Sequence, residues 1–389
     1  MAENISTCKA LGGGDFTSLA AWLAWAEVSG ALGETAECYD DGGTLGDMSA
    51  VVGWAAGTHI NTTDVPRVIA AVGHEHGGSI VDGAKFGTIT NVLSYFELIN
   101  MSGTRYSCIN TLLYYVKNNK IKGNIIGYPS HPSMSNALQI KCNSWGSPTG
   151  YGLNIAHEID NNIFVYADDD ITHPYVVRFY SYSSGNNYSY MQHQNFRNNL
   201  VIGNAHTVSS VIQYKYVTGG WRSFILQGTG TFENNMMFGG SGATYDELEV
   251  LGSGGSSRAG YEIDITPENC LTDDASADDS GGSNHQINKS IASCIEDWQN
   301  NNFNLVEDGP GHNTGLTNAV TTDMFGVSRP DGIAFDMGPL ELVVPTDVST
   351  DFVSPTELLE GFDAAPCIMP VELAVLIQLN KTIPVELLS

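Results

Sequence analysis

The sequence predicts an all-β protein folded as a right-handed parallel β-helix, a solenoid with an N-terminal capping helix and a short C-terminal repeat tail. Three observations predict it. A polar residue followed by Asn-Asn recurs along the chain, and short strand-like runs fill the intervals. The composition is rich in turn formers and poor in charge, with 43 Gly in 389 residues and only 15% charged residues. Such a balance suits many short strands better than surface helices.

The repeat is carried by Lys117-Asn118-Asn119-Lys120-Ile121, Asp160-Asn161-Asn162-Ile163-Phe164, Arg197-Asn198-Asn199-Leu200-Val201 and Glu233-Asn234-Asn235-Met236-Met237. Weaker echoes are Glu268-Asn269-Cys270-Leu271 and Asn300-Asn301-Asn302-Phe303. Counted from Asn119, the marker returns at 162, 199, 235, 269 and 302, in steps of 43, 37, 36, 34 and 33. A fixed period of this size marks a repeat architecture. Between markers the strand-like runs are Leu138–Cys142, Tyr151–Ala156 and Ile163–Tyr166, then Tyr175–Tyr180, Tyr188–Gln192 and Leu200–Ile202, then Val211–Val217, Ser223–Gln227 and Met236–Phe238. Three strands per period describe a β-helix whose coils are lengthened by loops. The asparagines read as turn residues, because Asn tolerates the left-handed region and its amide bonds nearby backbone. Stacked, they can also form a hydrogen-bonded ladder.

The ends follow from the same logic, since a solenoid must blunt its open edges. Phe16–Ala26 has helical apolar spacing behind Gly12-Gly13-Gly14, with Asp15 as N-cap, and is expected to lie over the first coil. The resulting division is residues 1–35 for the first strand and cap, 36–342 for the β-helix and 343–389 for the tail. In the tail a short unit recurs, with Pro355, Glu357 and Leu358, then Pro370, Glu372 and Leu373, then Pro384, Glu386 and Leu387 at matching positions. These 47 residues are too few for an independent core. Their Val and Leu residues need a partner subunit or neighbouring chain to cover them.

Charge excludes several functions. With 16 Lys+Arg against 43 Asp+Glu, the net charge is −27, the wrong sign for phosphate-backbone recognition or an anionic membrane. No nucleic-acid partner and no membrane span are expected. The N-terminus lacks the basic and apolar regions of a secretory signal. The 7 cysteines are scattered, without a C-x-x-C pair, and read as small buried hydrophobes. No P-loop, dinucleotide fingerprint, G-x-S-x-G elbow or zinc-type histidine pair occurs. No catalytic residue, metal or cofactor is therefore assigned.

Acidic candidates do exist. Glu158 and Asp160 lie near one turn, and Asp168-Asp169-Asp170 follows with His173. In so acidic a chain these also read as a solvated loop. A further candidate is a row of bases. Lys141, Arg178 and Lys215 lie 37 residues apart, each in the first strand of its coil, with core-type residues on both sides. Stacked in register they form a basic ladder needing compensation, from the protein's own carboxylates, a neighbouring protomer or a bound anionic group. Tyr180 and Tyr182 accompany this row and offer stacking faces for sugar rings, or serve as strand formers.

Two segments resemble a known superfamily. Leu11-Gly12-Gly13-Gly14-Asp15-Phe16 through Trp22 resembles the opening of right-handed β-helix proteins. Asp323-Met324-Phe325-Gly326-Val327-Ser328-Arg329-Pro330 with Phe335-Asp336-Met337-Gly338-Pro339-Leu340-Glu341 resembles the closing coil of the pectate-lyase-like superfamily. The likeness covers residues 8–342 and is more specific for fold than for activity. Such proteins include polysaccharide lyases and hydrolases, adhesins and phage tailspikes. The tail units resemble those at the ends of bacteriophage structural proteins. The resemblance implies a virion structural protein made in a host cytoplasm, a decoration, fibre or tailspike-like element. It contacts other virion proteins through the tail and host-surface glycan through the solenoid. A homo-oligomer is expected, and likeness to tailspikes would allow a trimer. The alternative is a polysaccharide lyase or glycoside hydrolase, with Asp168, Asp169, Asp170, Lys141 and Arg178 as its candidate residues. A surface adhesin would require an export route this N-terminus does not show.

Overall fold

A computed structural model describes residues 5–29, 34–49, 67–78, 82–87, 89–90, 97–103, 109–113, 119–128, 137–144, 156–166, 176–183, 189–190, 193–203, 212–218, 225–226, 228–239, 248–253, 263–264, 267–273 and 283–343. The chain divides into two compact units, Met1–Val343 and Val344–Ser389. The second lies outside the described residues, and with it the tail positions Pro355 through Leu387.

The first unit is a stack of parallel strands with few helices, the arrangement of an all-β solenoid. Three sheets grow side by side, and in each the strands follow one another in chain order. One sheet has nine strands, from Ile5–Cys8 through Lys120–Lys122, Ala156–Asp160 and His193–Arg197 to Pro267–Glu268. A second runs from Lys85–Phe86 through Ile125–Tyr128, Ile163–Tyr166, Leu200–Ile202 and Met236–Phe238 to Leu271–Thr272. The third runs from Met48–Ser49 through Leu138–Ser144, Val177–Ser183 and Ile212–Thr218 to Leu248–Ser253.

Each strand of the nine-stranded sheet sends few side chains inward, and these stack. Val68, Leu98, Ile121, Ile159, Phe196 and Phe232 are register partners in succession, all essentially buried. Phe196 and Phe232 stack at 5.3 Å between ring centroids. Polar residues alternate with this column, so strands such as Ala156–Asp160 carry the period-2 pattern of a half-exposed sheet. The sequence reading took the polar residues before Asn-Asn as turn and missed these strands. It placed the middle strand earlier, at Tyr151–Ala156 and Tyr188–Gln192.

The second sheet is apolar on both faces. Ile126, Phe164, Val201 and Met237 join the interior core, while Ile125, Ile163, Leu200 and Met236 face a second cluster. That cluster is completed by Cys294, Ile295, Phe303, Leu305, Met324, Met337 and Leu340. The continuous apolar runs of this sheet are thus the mark of strands buried on both sides. The chain after residue 290 supplies the outer layer. It begins with the antiparallel hairpin Ile295–Asp297 and Asn302–Leu305. Asn301 at its bend is left-handed, with φ 63°, so the sixth Asn marker belongs to a hairpin and not to a coil.

The corner between the first two sheets explains the Asn pairs. The first member is left-handed: Asn100, Asn161, Asn198, Asn234 and Asn269 have φ of 50–56°, and Gly123 takes the same place at 64°. The second member forms a buried ladder. Asn124, Asn162 and Asn199 each donate backbone N–H and side-chain Nδ2 to Oδ1 of the next rung, at 2.9–3.1 Å. The chain of acceptors runs Asn124, Asn162, Asn199, Asn235. Asn119 lies outside it, one residue before the strand Lys120–Lys122, and Asn124 holds the expected rung. Asn269 is a first member, followed by Cys270.

The helix is Leu19–Ser29. Its buried face, Leu19, Trp22, Leu23 and Ala26, has the i, i+3, i+4, i+7 spacing of an amphipathic element and packs on Cys8, Cys38, Leu45 and Met48 in one core. Ser18 Oγ accepts from Ala21 N at 3.2 Å, so Ser18 is the cap. Asp15 instead closes the preceding loop, accepting from Thr7 N and Thr7 Oγ1 at 2.8 and 2.9 Å. A capping serine satisfies an otherwise orphaned helix N–H.

The segment resembling a closing coil has another place. Asn313–Glu341 runs back along the stack as a strap. Arg329, buried, meets Glu341 Oε2 at 3.1 Å and donates to Asp336 O and Gly338 O. Asp336 accepts from Leu342 N, and Asp323 accepts from Phe325, Val327 and Glu341 N. The Arg-Pro and Asp-x-Gly-x-x-Glu residues therefore knot the strap to itself.

Candidate functional site

The outward positions of the nine-stranded sheet carry a grid of charge. One row of register partners reads Arg67, Glu97, Lys120, Glu158 and Asn195. The next reads Lys122, Asp160, Arg197, Glu233 and Glu268. Strands lie ~4.8 Å apart, so opposite signs on successive coils attract across the ladder. Glu97 bonds both Arg67 and Lys120 at 2.9 Å. Asp160, almost fully buried, is clamped by Arg197 through Nε and Nη2 at 2.9 and 2.8 Å. Lys122 reaches Asp160 at 3.4 Å and also pairs with Glu158.

The electrostatics follow from these contacts. Burial opposes the charge on Lys122 and Arg197, but Asp160 and Glu158 outweigh it and hold both bases above their ordinary values. Burial alone would raise Glu158, yet Lys122, Lys120 and Arg197 bring its carboxyl below the usual value. Glu233 is pushed up by burial, Arg197 opposing and Glu268 adding to the rise.

The strap roofs this grid. Asn269 Nδ2 donates to Thr314 O, Asn234 Nδ2 to Leu316 O, and Asn161 Nδ2 to Thr322 O. Asn198 Oδ1 accepts from Asn318 Nδ2. The left-handed asparagines are thus pins as well as turns. Between strap and sheet lies a groove of about 510 Å³, walled by Lys122, Glu158, Asp160, Asn161, Asn195 and Arg197 and by strap residues 319–324 and 326. This size falls in the ordinary range of ligand clefts.

Of the residues singled out by sequence, Glu158 and Asp160 come together here. The basic ladder does not form as expected. Lys141 pairs in register with Tyr180, and Tyr180 with Lys215. Arg178 pairs with Gln139 and Gln213, two positions away along the strand. Equal sequence spacing misled, because the coil from Leu138 to Val177 is longer than the one from Val177 to Ile212. Tyr182 pairs with Asn143 and Val217. All five lie in the third sheet, apart from the strap, and their side chains are outside the described residues. So are Asp168, Asp169, Asp170 and His173.

Arg197, Lys122 and the roof were missed. A signal existed in the polar residue before each Asn pair, whose sign alternates from Asp160 to Arg197 to Glu233. The roof had none, because strap and corner are joined by backbone carbonyls. Nucleophilic thiol chemistry is disfavoured at Cys270, which burial pushes up to about 12. Among the described residues no group of three or more His, Cys, Asp or Glu could hold a metal ion, and no helix is long and apolar enough to cross a membrane.

No protein-family model matches this chain, and no curated protein matches its sequence.

Proposed function

We propose that this chain is a structural protein of a virion-type particle: a right-handed parallel β-helix displayed as a rigid element and anchored through residues 344–389. The observation supporting it most is the bracing. A strap pinned to four successive corners, on top of an internal Asn ladder, resists unwinding of a shaft that lacks the cross-links of a disulfide framework. The charge grid supports the same reading, since Asp160, Lys122 and Arg197 are committed to one another. The tail repeats then serve as the contact to other particle proteins, and self-association through them gives the oligomer.

The solution mass of the full chain and of a chain ending at Val343 tests this reading. That end point keeps Leu342, whose N–H binds Asp336. An oligomer that becomes a folded monomer on truncation supports assembly through the tail. A monomer in both cases removes the anchor and overturns self-assembly.

A polysaccharide lyase or hydrolase is the second reading, favoured by the two carboxylates Glu158 and Asp160 in one groove. It requires depolymerisation of a glycan that is lost in Glu158→Gln with the fold intact.

A further inference from the structure

The strap advances two residues per coil where it is pinned: Thr314 to Leu316 to Asn318 match Asn269, Asn234 and Asn198. The next coil, at Asn161, is met by Thr322, four residues on. An extended chain spans ~3.3 Å per residue against a coil rise of ~4.8 Å, so two residues already cover one step. The extra two form a bulge at Ala319–Thr321. The bulge is held open and not merely slack: Arg329 N donates to Thr321 O at 2.9 Å and Asp323 N to Val327 O at 2.8 Å. The groove exists because of this bulge.

Beneath it a polar atom is left over. Asn161 is buried, 6% exposed, and its Oδ1 has no hydrogen-bond partner although Nδ2 holds Thr322. A buried acceptor without a donor costs about 1–3 kcal/mol, and a ligand hydroxyl would recover it. Around it stand half-exposed Lys122 and Glu158, Asn195, and the Nη1 edge of Arg197 beyond its two-pronged contact with Asp160. Donors and acceptors are interleaved, and the charges are already matched.

We propose that this groove is a binding site for an uncharged polyhydroxyl ligand, a neutral sugar in chemical class. An anionic ligand must displace Glu158 or Asp160 from its base and face Asp323. A cationic one must displace Lys122 or Arg197. A hydroxyl donates to Asn161 Oδ1 or Glu158 and accepts from Lys122 or Arg197 without breaking any pair. The proposal is independent of the particle reading, because it concerns one groove of the first unit and not the tail.

The test is saturation-transfer NMR on the full chain with glucose, galactose, mannose, rhamnose and N-acetylglucosamine, beside galacturonate and spermidine. At least one neutral sugar is expected to give a saturable signal, with the charged probes weaker by about tenfold or more. Val320→Trp, which fills the groove from the roof, is expected to weaken that sugar about tenfold at an unchanged thermal midpoint. Should that variant fail to fold, Ala319→Trp at an exposed roof position replaces it. The proposal is overturned if no neutral sugar in the panel saturates, if the signal survives the filled groove, or if a charged probe binds more tightly.

Discussion

Asn161 and Thr322, 161 positions apart, are joined by a hydrogen bond of 2.7 Å from Nδ2 to the backbone carbonyl. The same Asn161 has φ of 55°, so one residue turns the coil and holds the strap. The two roles are separable. Asn161→Gly keeps the left-handed turn and removes the pin, at an expected cost of about 1 kcal/mol. Asn161→Ala adds left-handed strain of about 1–2 kcal/mol. Chemical denaturation should rank them wild type, Gly, Ala; equal costs would show that backbone strain is negligible at this corner.

The Asn ladder should be less forgiving. Asn199 Oδ1 accepts both donors of Asn162, and its Nδ2 bonds Ile159 O at 2.8 Å and Asn235 Oδ1 at 3.1 Å. Asn199→Ala therefore orphans groups on three coils in a dry interior. A loss of about 2–5 kcal/mol is expected, several times that of the pin. Hydrogen exchange should show added opening at Asn162 and Asn235. Exchange confined to residue 199 would mean that water replaces the amide.

How much of this was legible in sequence depends on where each partner lies. The stacked parallel strands and their asparagine corners could be read because each coil repeats the same local instruction. Ile163-Phe164-Val165 and Met236-Met237-Phe238 also announced strands buried on both faces, but nothing local named the covering layer. That layer, Ile295, Phe303, Met324 and Met337, is ordinary apolar sequence until the strap is seen to return. Arg329 and Glu341 were recognised by pattern and assigned to a final coil, whereas they lock the strap. The charge grid was half visible: Glu158 and Asp160 were noticed as acids, while Arg197, one coil away, was filed as part of a turn signal. Coil lengths decide such pairings, and unequal loops between Leu138, Val177 and Ile212 also misplaced Arg178.

The grid predicts unequal consequences for two neighbouring carboxylates. Asp160 is buried against Arg197, whose side chain is only 11% exposed. Asp160→Asn leaves that guanidinium under-compensated, and about 3–5 kcal/mol of destabilisation is expected. Glu158 is one-third exposed beside an equally exposed Lys122, so Glu158→Gln should cost about 0–1 kcal/mol. Thermal melts of the two variants check this directly. Comparable losses would mean that Asp160 and Glu158 share one solvent environment.

His76 supplies a pH dependence. Its Nε2 lies 2.7 Å from Gly123 O and its Nδ1 accepts from Gly78 N at 3.1 Å, which fixes a neutral ring with the proton on Nε2. The ring lies 6.0 Å from that of Phe325 on the strap. Burial pushes its pKa below the ordinary value, against the opposing pull of Gly123 O and Glu75. A depressed folded value means that the unfolded chain binds more protons as pH falls through about 6.5. Stability from this group is complete above that value and lost below it, because a proton on Nδ1 meets the Gly78 N–H. Melting temperature should therefore fall between about pH 7.5 and pH 5.5. His76→Gln, which cannot titrate, should melt lower at neutral pH and show a flatter slope. His157 and His285 also accept backbone N–H groups through Nδ1, at 3.3 Å. An unchanged slope in His76→Gln would assign the acid sensitivity to one of them.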